Sequence, residues 1–77
     1  MNIVNDITRH LQQKGFTSVE FHMDLANLDG GNRTYYFYAS PSDDENFRYH
    51  IEVQKAENNS DEPFKYQFRT REPRRYN

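Results

Sequence analysis

The chain has 77 residues, of which 34% are hydrophobic and 29% charged, with a formal net charge of −2 and no cysteine. A chain this short buries only about 60–65% of its unfolded surface, which supports one small domain and excludes a two-domain enzyme, a repeat array and a long buried cleft. The missing cysteines exclude disulfides and thiolate metal sites, and no apolar run approaches the roughly 18 residues of a membrane span. Polar Asn2 and Asn5 follow Met1 directly, without a basic and then apolar leader, so a cytoplasmic location is expected. Six Phe and six Tyr make up nearly half of the hydrophobic content, against eleven Ile, Leu, Val and Met together, so the core must be built largely from rings.

In chain order, Ile3, Val4, Ile7 and Leu11 recur at helical spacing within Asn2–Lys14 and occupy a stripe about 100° wide. This predicts one amphipathic helix, with Asn2 as its N-cap, Asp6 near the positive end of the dipole, and Lys14-Gly15 at its close. The period then changes from 3.6 to 2. Over 17–25, Val19, Phe21, Met23 and Leu25 alternate with Ser18, Glu20, His22 and Asp24, which predicts a strand with the first set inward. The Asp29-Gly30-Gly31 turn reads as a hairpin loop.

The second strand is predicted over 33–39, with Tyr35, Phe37 and Ala39 on one face and Tyr36 and Tyr38 on the other; which face meets the helix stays open. Ser40-Pro41-Ser42-Asp43-Asp44-Glu45-Asn46 breaks the pattern as an exposed acidic loop. The third strand, over 47–55, sets Phe47, Tyr49, Ile51 and Val53 against Arg48, His50, Glu52 and Gln54. After a polar loop over 56–63, the fourth strand, over 64–70, sets Phe64, Tyr66 and Phe68 inward and Lys65, Gln67 and Arg69 outward, with a flexible basic tail over 71–77. Short connections between alternating strands make an antiparallel meander in the order 1-2-3-4 the economical topology. The expected fold is a single α+β domain, α-β-β-β-β. In it Ile3, Ile7 and Leu11 pack on Val19, Phe21, Phe37, Tyr49, Ile51 and Phe68.

No residue set carries a recognisable chemistry. His10, His22 and His50 lack metal-ligand spacing, although His22 and His50 are predicted together on the face away from the helix, near Asp24 or Glu52. The serines have no nucleophile-elbow context, and Gly30-Gly31 has no phosphate-loop framing. No enzyme activity, metal or cofactor is expected.

Charge placement says more than the net value. Residues 1–63 carry five basic residues against eleven acids, whereas 64–77 carry five basic residues against Glu72 alone. Lys65, Arg69 and Arg71 share the outward parity of strand four, Arg74 and Arg75 extend that stripe, and Arg48, Tyr36 and Tyr38 lie beside it. Cations interleaved with exposed rings are what single-stranded nucleic-acid binding uses; the same pattern also serves cross-strand packing and the guarding of an edge strand. Asp29, Asp43, Asp44, Glu45, Glu57, Asp61 and Glu62 place acids in all three loops, where they serve solubility or steer a basic partner.

The opening Met1-Asn2-Ile3, the helix through Lys14-Gly15-Phe16, and the strand and acidic turn that follow resemble the start of some anti-CRISPR proteins that mimic DNA and block an effector's DNA-binding site. The resemblance covers the first third of the chain, and the basic C-terminal strand departs from a DNA-mimic pattern. It implies a non-enzymatic inhibitor that binds a larger protein or nucleoprotein complex. Tyr36, Tyr38, Asp43, Asp44, Glu45, Arg48, Lys65, Arg69 and Arg71 are the expected contact residues. The alternative is a single-stranded nucleic-acid-binding domain that uses the basic and aromatic sheet face. A monomer, or a weak homodimer through the strand-four edge, is the expected state, with no membrane partner.

Overall fold

A computed structural model describes residues 2–28, 32–56 and 61–73. Asp29, Gly30, Gly31, Glu57, Arg74 and Arg75 lie outside the described residues.

The order is helix α1 (Ile3–Gln13) followed by strands β1 (Phe16–Ala26), β2 (Arg33–Pro41), β3 (Phe47–Lys55) and β4 (Phe64–Pro73). All neighbours are antiparallel, in the sheet order β1-β2-β3-β4. The helix begins where the side-chain oxygen of Asn2 accepts the Val4 N–H at 2.9 Å, which satisfies one of the donors that a first turn leaves open. It closes at Lys14 and at Gly15, whose φ of 101° suits a residue without Cβ. The Gly15 carbonyl then accepts the Ser42 N–H at 2.8 Å, which ties the helix–strand corner to the loop between β2 and β3.

One face of the sheet carries the core. Ile7 and Leu11 of α1 are buried with Phe37, Ala39, Ile51, Val53 and Phe64, and Ile3, Val4, Phe16, Val19, Tyr35, Tyr49 and Tyr66 pack around them. The odd-numbered face of β2 therefore meets the helix, and Tyr36 and Tyr38 lie on the outer face with the even-numbered residues of β3.

Three irregularities set which side chains face where. In β1, Ser18 and Val19 stand opposite Ala39, with Ser18 at φ 50°, and His22 is inserted between the pairs Phe21↔Phe37 and Met23↔Tyr36. An extra residue reverses the facing of everything after it. Met23 and Leu25, expected inward, are thus carried to the outer face, while Asp24 turns to the helix side and pairs with Arg33 at 2.8 Å. In β4, Arg69 and Thr70 stand opposite His50, between the pairs Ile51↔Phe68 and Tyr49↔Arg71. Beyond that bulge the chain stays in the sheet to Pro73, so Arg71–Pro73 is strand and not the flexible tail that the sequence suggests. Phe21 and Phe68 do lie on the helix-bearing face, but the single helix is too narrow to cover them, and they remain 41% and 46% exposed.

Candidate functional site

Two surfaces combine exposed rings, apolar groups and charge. The first is the outer sheet face. Tyr38 sits opposite His50 in register, with ring centroids 4.6 Å apart, and His22 approaches from the other side at 5.0 Å. His22 holds the outer face that alternation gives it, at the bulge beside Phe21, and so completes a three-ring row across the strands. Arg48 lies over the Tyr38 ring at 4.4 Å, and its Nε is 2.6 Å from Oε1 of Glu72. His50 Nε2 is 3.1 Å from the same oxygen, yet that buried nitrogen has no well-directed hydrogen bond. The Arg48 guanidinium, and after it His50, hold the Glu72 carboxyl below its ordinary value. One strand pair further along, Arg69 reaches Glu52 at 2.9 Å. Between these groups lies an open hollow of about 240 Å³, lined by His22, Tyr36, Tyr38, His50 and Arg69 among others.

Of the expected contact residues, Tyr36, Tyr38, Arg48, Lys65 and Arg69 share this face. Arg71 does not. The β4 bulge moves it to the helix-bearing face, where it lies 4.0 Å from the Phe47 ring centroid and 3.2 Å from Asp44. Arg71 is thus removed from the basic stripe, and Asp44 from a free acidic loop. Glu45 accepts from the Thr17 hydroxyl at 3.2 Å, and Asp43 is exposed in the same turn. The cations Arg48, Arg69 and Arg71 each face a carboxylate, whereas no carboxylate among the described residues stands within ion-pair distance of Lys65. A stacking platform for bases needs free ring faces and unpaired cations. Here Arg48 already covers one side of Tyr38.

The second surface is the edge formed by β1. Phe21 on the helix-bearing face, and Met23 and Leu25 on the outer face, are 41%, 39% and 48% exposed. Alternation alone places all three in the core; the His22 bulge turns Met23 and Leu25 out, whereas Phe21 keeps its expected face and is left uncovered by the helix, and a bulge on an apolar strand has no reliable sequence signal. On the helix-bearing face, Phe16, Pro41, Tyr49 and Phe68 also frame an open apolar hollow of about 350 Å³, with Phe16 stacked on Phe68 at 5.6 Å.

Among the described residues no group of His, Asp and Glu side chains is disposed to hold a metal ion, and no helix is long and apolar enough to cross a membrane. Comparison of the chain with protein-family models, with curated proteins and with solved structures gave no match.

Proposed function

We propose that this domain is a non-enzymatic protein-binding module that acts by occupying a surface of a larger protein or nucleoprotein assembly, in the manner of an inhibitor. The observation that carries this reading is the β1 edge: Met23 and Leu25 stand exposed side by side on the outer face of this edge strand, and Phe21 is exposed on its other face. Contiguous apolar surface on a small domain marks an interaction site far more often than scattered single residues do. The resemblance of the first third of the chain to anti-CRISPR inhibitors would make the assembly a nucleoprotein effector. Glu20, exposed on the same strand, would raise the rate of encounter with a basic partner surface.

Single-stranded nucleic-acid binding through Tyr36, Tyr38, Arg48, Lys65 and Arg69 is the less supported reading, since two of the three cations are already ion-paired.

Affinity capture with the native chain and with the Met23→Lys/Leu25→Lys double variant tests the proposal. Both positions are exposed, so the variant keeps its melting temperature to within the effect of about 0.5 kcal/mol typical of surface changes. The expected result is a specific protein partner held by the native chain and lost from the folded variant. Equal capture by both overturns the proposal. So does affinity for free single strands that falls linearly in log–log with salt, with no protein partner retained.

A further inference from the structure

We infer that the β1 edge recognises its partner by strand addition, pairing the backbone of Met23–Ala26 with an extended segment in which apolar residues alternate with Lys or Arg; this rests on the protein-binding reading above. The two edges of the sheet are built differently. β4 carries Lys65, Arg69, Arg71 and Glu72 and a bulge near its middle, the usual devices that keep an edge from pairing. β1 contains no Lys, Arg or Pro. Its own bulges end at His22, and from Met23 to Ala26 it runs in unbroken register with β2.

A regular strand at a sheet edge offers every second N–H and C=O to a newcomer. Here the regular stretch coincides with the exposed Met23 and Leu25, so a partner strand would satisfy backbone groups and cover apolar surface in one step. Charge selects the newcomer. Glu20 and Asp24 lie on β1, whose one basic-capable residue is His22, and Arg33 of β2 pairs with Asp24. Basic residues beside the apolar ones complement that edge, and acidic ones oppose it. A second copy of this chain fits poorly, because an antiparallel two-fold pairing centred on the regular stretch sets Asp24 against Asp24, or leaves Leu25 facing Leu25 with little else buried.

The full chain, labelled for NMR, is titrated with a capped synthetic peptide of alternating Val and Lys. The expected result is shifted resonances and slowed amide exchange confined to Met23–Ala26 and the β2 residues beside them. The same peptide N-methylated at alternate residues, and a Val/Glu counterpart, are expected to leave the spectrum unchanged. Asp24→Asn, on the side of the strand that the Lys residues would face, is expected to weaken the Val/Lys peptide about two- to fivefold, the size of an exposed charge pair. Equal binding of the N-methylated peptide, shifts centred on Tyr38 or on the Phe16–Phe68 hollow, or no shift at millimolar peptide each overturns strand addition. A β1-mediated dimer of the chain overturns the choice of occupant. If the Met23→Lys/Leu25→Lys variant still loses a captured partner while the peptide arms fail, the protein-binding reading stands and strand addition falls.

Discussion

At the scale of single residues, Tyr66 is a buried hydroxyl whose oxygen has no hydrogen-bond partner among the described residues, set under the Lys14 ammonium at 5.1 Å from the ring centroid. Burial, and after it the Glu62 carboxylate, push the phenol up to about 12. In the unfolded chain it titrates near 10, so between these values the unfolded state releases its proton first and stability falls as pH rises from about 10 to about 12. Tyr66→Phe removes that alkaline loss and, by deleting an unsatisfied group, leaves stability at neutral pH unchanged or higher by about 1 kcal/mol; urea midpoints at pH 7 and pH 11 check both. Glu72 works in the opposite sense. Its folded value lies below the unfolded one, so its contribution is present above the ordinary carboxylate range and is lost as pH falls through the lower, folded value. Glu72→Gln therefore flattens the acid side of the stability profile, which thermal melts from pH 7 to pH 3 would register.

At the scale of elements, β3 is the spine of the core. Ile51 is 1% exposed and sits in register between Phe37 and Phe68, beneath the helix. Ile51→Ala costs about 2–5 kcal/mol, much of the stability of a domain this size, and the variant should unfold at low denaturant in an equilibrium titration. Ile51 was readable from alternation alone, as were the helix, the four strands and their order, because periods of 3.6 and 2 report burial directly. Facing was readable as far as Phe21 in β1 and Phe68 in β4, each the last expected inward residue before a bulge that reverses it. Met23, Leu25 and Arg71 obey the expected alternation within their own segments but lie beyond bulges, and one inserted residue reverses a whole segment. The β4 extension escaped for a related reason. Arg71-Glu72-Pro73 looks like a polar tail until two ion pairs on opposite faces, Arg71 with Asp44 and Glu72 with Arg48, are seen to hold it in the sheet. Those partners lie 27 and 24 residues away in sequence, beyond any local pattern.

At the scale of the whole molecule, charge that is lopsided along the sequence is largely neutralised in space. The basic C-terminal strand folds against acids from β3 and from the loop before it, and each such exposed pair contributes at most about 1 kcal/mol. The ion pairs therefore fix geometry more than they stabilise it, and the apolar β1 edge is left as the surface with the least internal compensation. The meander also sets a timetable. Every strand pairs with its neighbour in sequence, so each hairpin closes over a short loop and the sheet can zip without waiting for distant segments, which points to folding in milliseconds or faster. The exception is the approach of α1 to the end of the sheet, where His10 meets Phe64 at 5.3 Å and Lys14 meets Glu62 across 48 residues of chain. Closing so long a loop carries the largest entropy cost, so we expect these contacts to form late. Phe64→Leu should speed unfolding with little change in the folding rate in stopped-flow chevrons, and the helix would be the last element to dock and the first to lift away.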